Sequence, residues 1–171
     1  MKTINTKEIA YTALFTALYV VLSVLIKIPV TEHIALDLGY ISLTVCAVYM
    51  GAVPAAVTGG LRAFFESAMM GQRGVSPGWI LMNLIVGYAC GRILQKTRDK
   101  EKKTFMLSAF FVIPLSMLAG VAVKTLVDCV LYSLPLIAKI PTGLAAWVTD
   151  SAVMLAIGVP LSIALRKRVK I

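Results

Sequence analysis

Apolar residues run along this chain in blocks of membrane length, separated by short polar clusters. Read for those blocks, the sequence predicts six helices, at about residues 7–28, 36–50, 54–70, 78–94, 104–132 and 143–165. Most of them approach or exceed the ~20 residues that cross a bilayer. Prolines and glycines mark the breaks. Pro29 disfavours helix in the residue before it. Gly51-Ala-Val-Pro54 reads as a tight turn, with Pro54 suited to the first turn of the next helix. The run GQRGVSP, residues 71–77, reads as a loop. The fifth block is longer than one span needs, so it is expected to kink at Pro114, to tilt or to protrude. The first block begins near Ile9 and outlasts the apolar core of a signal peptide. No A-x-A-type site follows it, so it is expected to be retained as a span.

Composition agrees with the pattern. Hydrophobic residues make up 59% of the 171 positions, and the mean hydropathy is +0.88. The expectation is an all-α integral membrane protein: a single multi-pass domain over residues 1–171. Its medium is the lipid bilayer. The formal charge of +9 would suggest a nucleic-acid partner in a soluble protein. Here twelve basic residues lie at the chain ends or in the fourth loop: Lys2, Lys7, Arg92, Lys96, Arg98, Lys100, Lys102, Lys103, Arg166, Lys167, Arg168 and Lys170. Only Lys27, Arg73 and Lys139 fall in the opposite loops. Six spans put both termini on one side, and the positive-inside rule makes that side cytoplasmic. No nucleic acid is expected.

The candidate chemistry is sparse. Cys46, Cys90 and Cys129 sit in apolar runs without paired spacing, which reads as small core residues. His33 is a lone loop histidine, so no metal is assigned. No phosphate-binding glycine-rich lysine loop and no serine–histidine nucleophile is present. No cofactor, no catalytic residue and no enzyme activity is expected.

What the apolar blocks do contain is a set of costly charges. Arg62 and Glu66 are four apart on one face of the third helix, as are Lys124 and Asp128 on the fifth. Asn83 lies in the fourth helix and Asp150 in the sixth. At ~1.5 Å per residue, all six fall in the outer halves of their helices. Charges inside a membrane face the bundle interior and mark sites or pathways. Two readings stand. The pairs could be interhelical bridges that satisfy only each other, or the layer could line a small-molecule pocket open to the outside. Trp79 and Trp147, at the same level, suit either an interfacial belt or stacking on a flat ligand. Both signs of charge are present, so a polar or zwitterionic ligand fits.

These features resemble the substrate-binding S component of energy-coupling factor (ECF) vitamin transporters, the riboflavin/folate/pantothenate-type superfamily. The likeness covers nearly the whole chain. Helix 1 carries Ala13-x-x-x-Ala17 in IAYTALFTALYVVLS. The run LDLGYISLTVCAVYMGAVPAAVTGGL looks like the family's second and third helices with their glycine–proline turn. SPGWILMNLIVGYACGRI looks like its fourth. The resemblance implies a bacterial-type cell membrane and, as partners, a transmembrane T component and two ATPase subunits. It implies docking on the T component through Ala10, Ala13 and Ala17. It also implies a vitamin-like ligand bound near the outer face, under the loops after helices 1, 3 and 5, where the polar layer makes Arg62, Glu66, Trp79, Asn83, Lys124, Asp128, Trp147 and Asp150 the candidate contacts. At the outer end of helix 3 the chain has RAFFESAMM, where the riboflavin branch tends to have asparagine and histidine. The competing function is a stand-alone ion-coupled secondary transporter of a small polar solute, with Glu66, Asp128 or Asp150 titrating. A third is an assembly protein with no small ligand.

Overall fold

The structure, a computed structural model, describes residues 6–31, 34–70 and 76–166. His33, the Gly71–Val75 part of the third loop and the basic residues Lys2, Arg73, Lys167, Arg168 and Lys170 lie outside them. Helix α1 is Thr6–Leu25, followed by strands β1 (Lys27–Thr31) and β2 (Ile34–Asp37). Then come α2 (Tyr40–Tyr49), α3 (Ala52–Met70), α4 (Pro77–Thr97) and α5 (Lys102–Tyr132). Helix α6 (Leu136–Val153) runs through a π turn at Met154–Gly158 into α7 (Val159–Leu165), making one rod of 30 residues. Among the described residues, four helices are long and apolar enough to cross a membrane: Thr6–Leu25, Pro77–Thr97, Lys102–Tyr132 and Leu136–Leu165.

The molecule has the inside-out pattern of a helical membrane protein. On α1 the buried residues are Thr16, Tyr19 and Ser23, whereas Leu14, Leu18 and Leu25 are exposed. Polar side chains turn inward, where they find partners, and aliphatic ones turn outward, where lipid is as apolar as they are. Phe110, Phe111 and Leu115 do the same for α5. Helix α2 is the exception. Ser42 through Tyr49 are all buried, as befits a helix that is apolar around its circumference. It sits in the centre of the bundle, and at ten residues it is only about 15 Å long. Cys46 and Cys90 are buried in the core, and Cys129 is half-buried.

Three boundaries differ from the sequence reading. The expected helix 1 extends to residue 28 and the expected loop from Pro29 to Asp37, but α1 ends at Leu25 and the chain turns into an antiparallel hairpin. Its register pairs Lys27 with Asp37 and Ile28 with Leu36, with an irregularity between Pro29 and Thr31. Pro29 cannot donate to a ladder, which confines it to an edge or a bulge, and the β-branched residues around it favour extended backbone. The all-α expectation therefore holds except for this hairpin. The second helix begins at Tyr40 rather than residue 36 for the same reason. The sixth begins at Leu136, seven residues before the expected 143. Pro135 precedes it and Pro141 lies within it, which membrane helices tolerate.

Helices α3 and α4 pack backbone to backbone. A Cβ on Gly87 would lie 2.3 Å from the Ala55 carbonyl oxygen, and one on Gly91 2.5 Å from that of Gly51. Only glycine permits this approach. Helix α4 starts cleanly, with Pro77 in its first turn and the Ser76 hydroxyl accepting from the Trp79 amide. At the other end, Arg166 donates to the carbonyls of Lys100 and Thr97, both at 3.3 Å, and stacks on Phe105 at 4.5 Å. That contact holds the charged α4–α5 turn against the last helix.

Candidate functional site

The charges carried by the apolar helices converge at the end of the bundle opposite the α4–α5 turn. Helix α3 sets Arg62 and Glu66 one turn apart, and both are fully buried. The hairpin then brings in a third member. Asp37 ends β2, and one of its carboxylate oxygens accepts from the Gly39 amide (2.8 Å) and the Ser23 hydroxyl (2.7 Å). Its other oxygen meets the Arg62 guanidinium, which also pairs with Glu66. Arg62 Nε donates to Ser23 at 3.1 Å. The guanidinium plane lies between aromatic rings, 4.8 Å from the centroids of both Tyr19 and Trp79 and 5.9 Å from that of Tyr40. Arginine suits this position because a planar, weakly hydrated cation can stack and pair at once.

Asn83 serves the aromatic clamp. Its amide oxygen accepts from the Tyr19 hydroxyl (3.2 Å), and its nitrogen donates to the Trp79 carbonyl (3.0 Å). On α5, Lys124 and Asp128 pair at 2.6 Å. The Ser76 hydroxyl donates to Asp128 at 3.4 Å, tying the start of α4 to α5. Asp150 projects from α6 into the same layer, within electrostatic reach of Asp37, Arg62 and Glu66.

These groups surround a cavity of about 370 Å³, within the range of roughly 300–1,000 Å³ usual for small-molecule sites. Of the residues predicted from sequence, Glu66, Trp79, Lys124 and Asp150 line it. Arg62 and Asn83 lie behind the wall and hold it. Asp128 stands behind Lys124 as its ion-pair partner. Trp147 is turned away, its indole N–H donating to the Pro114 carbonyl at 2.8 Å, so it braces α6 against α5. The wall also contains Asp37, Tyr40, Thr125, Lys139 and Thr142, which sequence reasoning missed. Asp37 and Lys139 looked like loop charges, and only the hairpin and the early start of α6 bring them to the cavity.

On α1 the arrangement is the reverse. Ala10, Ala13 and Ala17 are all exposed, and they form a strip of small residues that nothing among the described residues covers.

The family model described as "ECF-type riboflavin transporter, S component" matches residues 3–167. No curated protein matches the chain.

Proposed function

The chain belongs to the ECF-type riboflavin transporter S-component family, and we propose that it is the membrane-embedded, high-affinity binding subunit for uptake of a vitamin or related micronutrient by an ATP-driven ECF transporter. The observation that carries this reading is the cavity. One hairpin and several helices deliver charges to a single pocket at one end of a membrane bundle, where a bridge alone would need only two of them. The substrate is proposed no more finely than a vitamin-like molecule. The family description names riboflavin, while RAFFESAMM on α3 departs from the asparagine and histidine that the riboflavin branch tends to carry there.

In this reading the chain crosses the membrane six times, with α3 crossing in spite of Arg62 and Glu66 because their charges are neutralised inside the bundle. Both termini and the α4–α5 turn are cytoplasmic, as the distribution of basic residues supports, and the cavity lies toward the outside. Cysteines introduced at Arg98 and Arg168 are expected to react with an impermeant reagent only from the cytoplasmic side, and one at Arg73 only from outside. Labelling of all three from one side excludes the six-span arrangement.

The exposed strip Ala10, Ala13 and Ala17 is proposed to dock on the T component, which in turn engages two ATPase subunits. Small residues allow close approach of helices in lipid, where no hydrophobic effect drives them together. Ala13→Leu with Ala17→Leu is expected to abolish co-purification with the T component while ligand binding by the isolated chain persists. Normal assembly of the double variant would place the docking face elsewhere. Uptake into proteoliposomes tests the function as a whole: it should require the ATPase partners and ATP. Uptake driven by an ion gradient without those partners would instead identify a stand-alone secondary transporter.

A further inference from the structure

Among the described residues, three carboxylates face the cavity: Asp37, Glu66 and Asp150. The first two are held by Arg62. Asp150 is only 8% exposed, yet among the described residues it makes no ion pair. Arg62, the cation that acts on it, already serves two other carboxylates, and both of those repel it. Among the described residues, the other cations on the wall are out of play. Lys124 is taken by Asp128 at 2.6 Å. Lys139 precedes Asp150 by eleven positions on the same helix, about 16 Å along its axis. The Thr149 hydroxyl hydrogen-bonds Asp150, but a buried carboxyl group with no counter-ion of its own is costly, and ionisable groups inside a membrane bundle mark sites.

The neighbouring wall says what shape the completing group has. Trp79 borders the cavity and is braced by the Arg62 guanidinium behind it, so its indole is held as a fixed flat surface. Tyr40 adds a second ring. The three carboxylates are not arranged to hold a metal ion together. We infer that the cavity selects an organic cation with a flat aromatic body, and that Asp150 is the residue that reads its positive, N–H-bearing group. This inference rests on the binding-subunit reading above. A planar N–H cation fits on two counts: a carboxylate accepts charge-assisted hydrogen bonds from it, and an aromatic face attracts it.

Three probes of one shape separate the contributions: benzamidine is cationic, benzamide neutral and benzoate anionic. Each is titrated into the purified chain in detergent, with indole fluorescence and thermal stability as readouts. Benzamidine is expected to bind saturably and raise Tm, while benzamide binds at least tenfold more weakly and benzoate more weakly still. Asp150→Asn should weaken benzamidine binding tenfold or more without lowering the Tm of the probe-free protein, because no cation loses its partner. Lack of saturable benzamidine binding, preference for benzoate, or an unchanged benzamidine affinity in Asp150→Asn would each overturn the inference. The order of the three probes on the wild-type chain decides the charge class even if the variant folds poorly. Failure of the binding-subunit reading is registered separately: uptake would then be independent of the ATPase partners.

Discussion

Arg62→Gln is expected to be the most damaging single change in the polar layer, lowering stability by about 3–5 kcal/mol. The size follows from what the substitution leaves behind. Arg62 is fully buried and neutralises Asp37 and Glu66 together, so its loss strands two carboxylates beside a third, Asp150. It also removes the cation that Tyr19 and Trp79 enclose. At roughly 2–4 °C per kcal/mol for a chain of this size, the midpoint of thermal unfolding in detergent should fall by something like 10 °C. Arg62→Lys should recover only part of this, since an ammonium cannot bridge two carboxylates and stack in one plane. Asp37→Asn with Glu66→Gln, added to Arg62→Gln, should recover more, because it removes the stranded charges. If Arg62→Gln leaves thermal stability unchanged and abolishes only ligand binding, the guanidinium is a ligand contact and the clamp described above is misassigned.

The Arg62–Glu66 pair was legible in the sequence because helical spacing is local: four residues apart means one face. The same holds for Lys124 and Asp128. Asp37 was not legible as their partner, since it reaches Arg62 only after β1 and β2 pair and fold the chain back. Asn83 stood out as an amide in an apolar helix, but spacing says nothing of what an amide bonds to. Its partner Tyr19 is 64 positions away. Trp147 lies at the level of the polar layer, yet rotation about the helix axis decides whether a ring meets a cavity or a neighbouring helix, and here it meets the Pro114 carbonyl. The start of α6 was hidden by Pro135 and Pro141, which read as loop in a soluble context and are accommodated in a membrane helix. The sequence thus revealed groups that share a face of one helix, and concealed those that meet only through tertiary pairing.

The same limit applies to small residues, and it sets up the second large effect. The chain has Ala13-x-x-x-Ala17 on α1 and Gly87-x-x-x-Gly91 on α4, and spacing alone does not distinguish them. In the structure Ala13 and Ala17 are exposed, whereas Gly87 and Gly91 are buried. A Cβ at Gly87 would stand 2.3 Å from the Ala55 oxygen and 2.9 Å from the Ala56 Cα. At Gly91 it would stand 2.5 Å from the Gly51 oxygen and 2.7 Å from the Ala52 Cα. All four are backbone atoms of α3 or the turn before it, so no side chain can rotate aside and the helices must separate. Overpacking of this kind costs about 1–3 kcal/mol per site, and more where backbone must move. Separation would also dismantle the cavity, since Arg62 and Glu66 ride on α3 while Trp79 and Asn83 ride on α4. Gly87→Leu is therefore expected to lower both thermal stability and ligand binding sharply, and Gly87→Leu with Gly91→Leu to leave little folded protein by size-exclusion chromatography. The same insertion on α1, Ala13→Leu with Ala17→Leu, should change stability by no more than about 0.5 kcal/mol, as for other substitutions away from packed features. A Gly87→Leu chain that unfolds at the wild-type temperature would mean that α3 and α4 do not pack this closely.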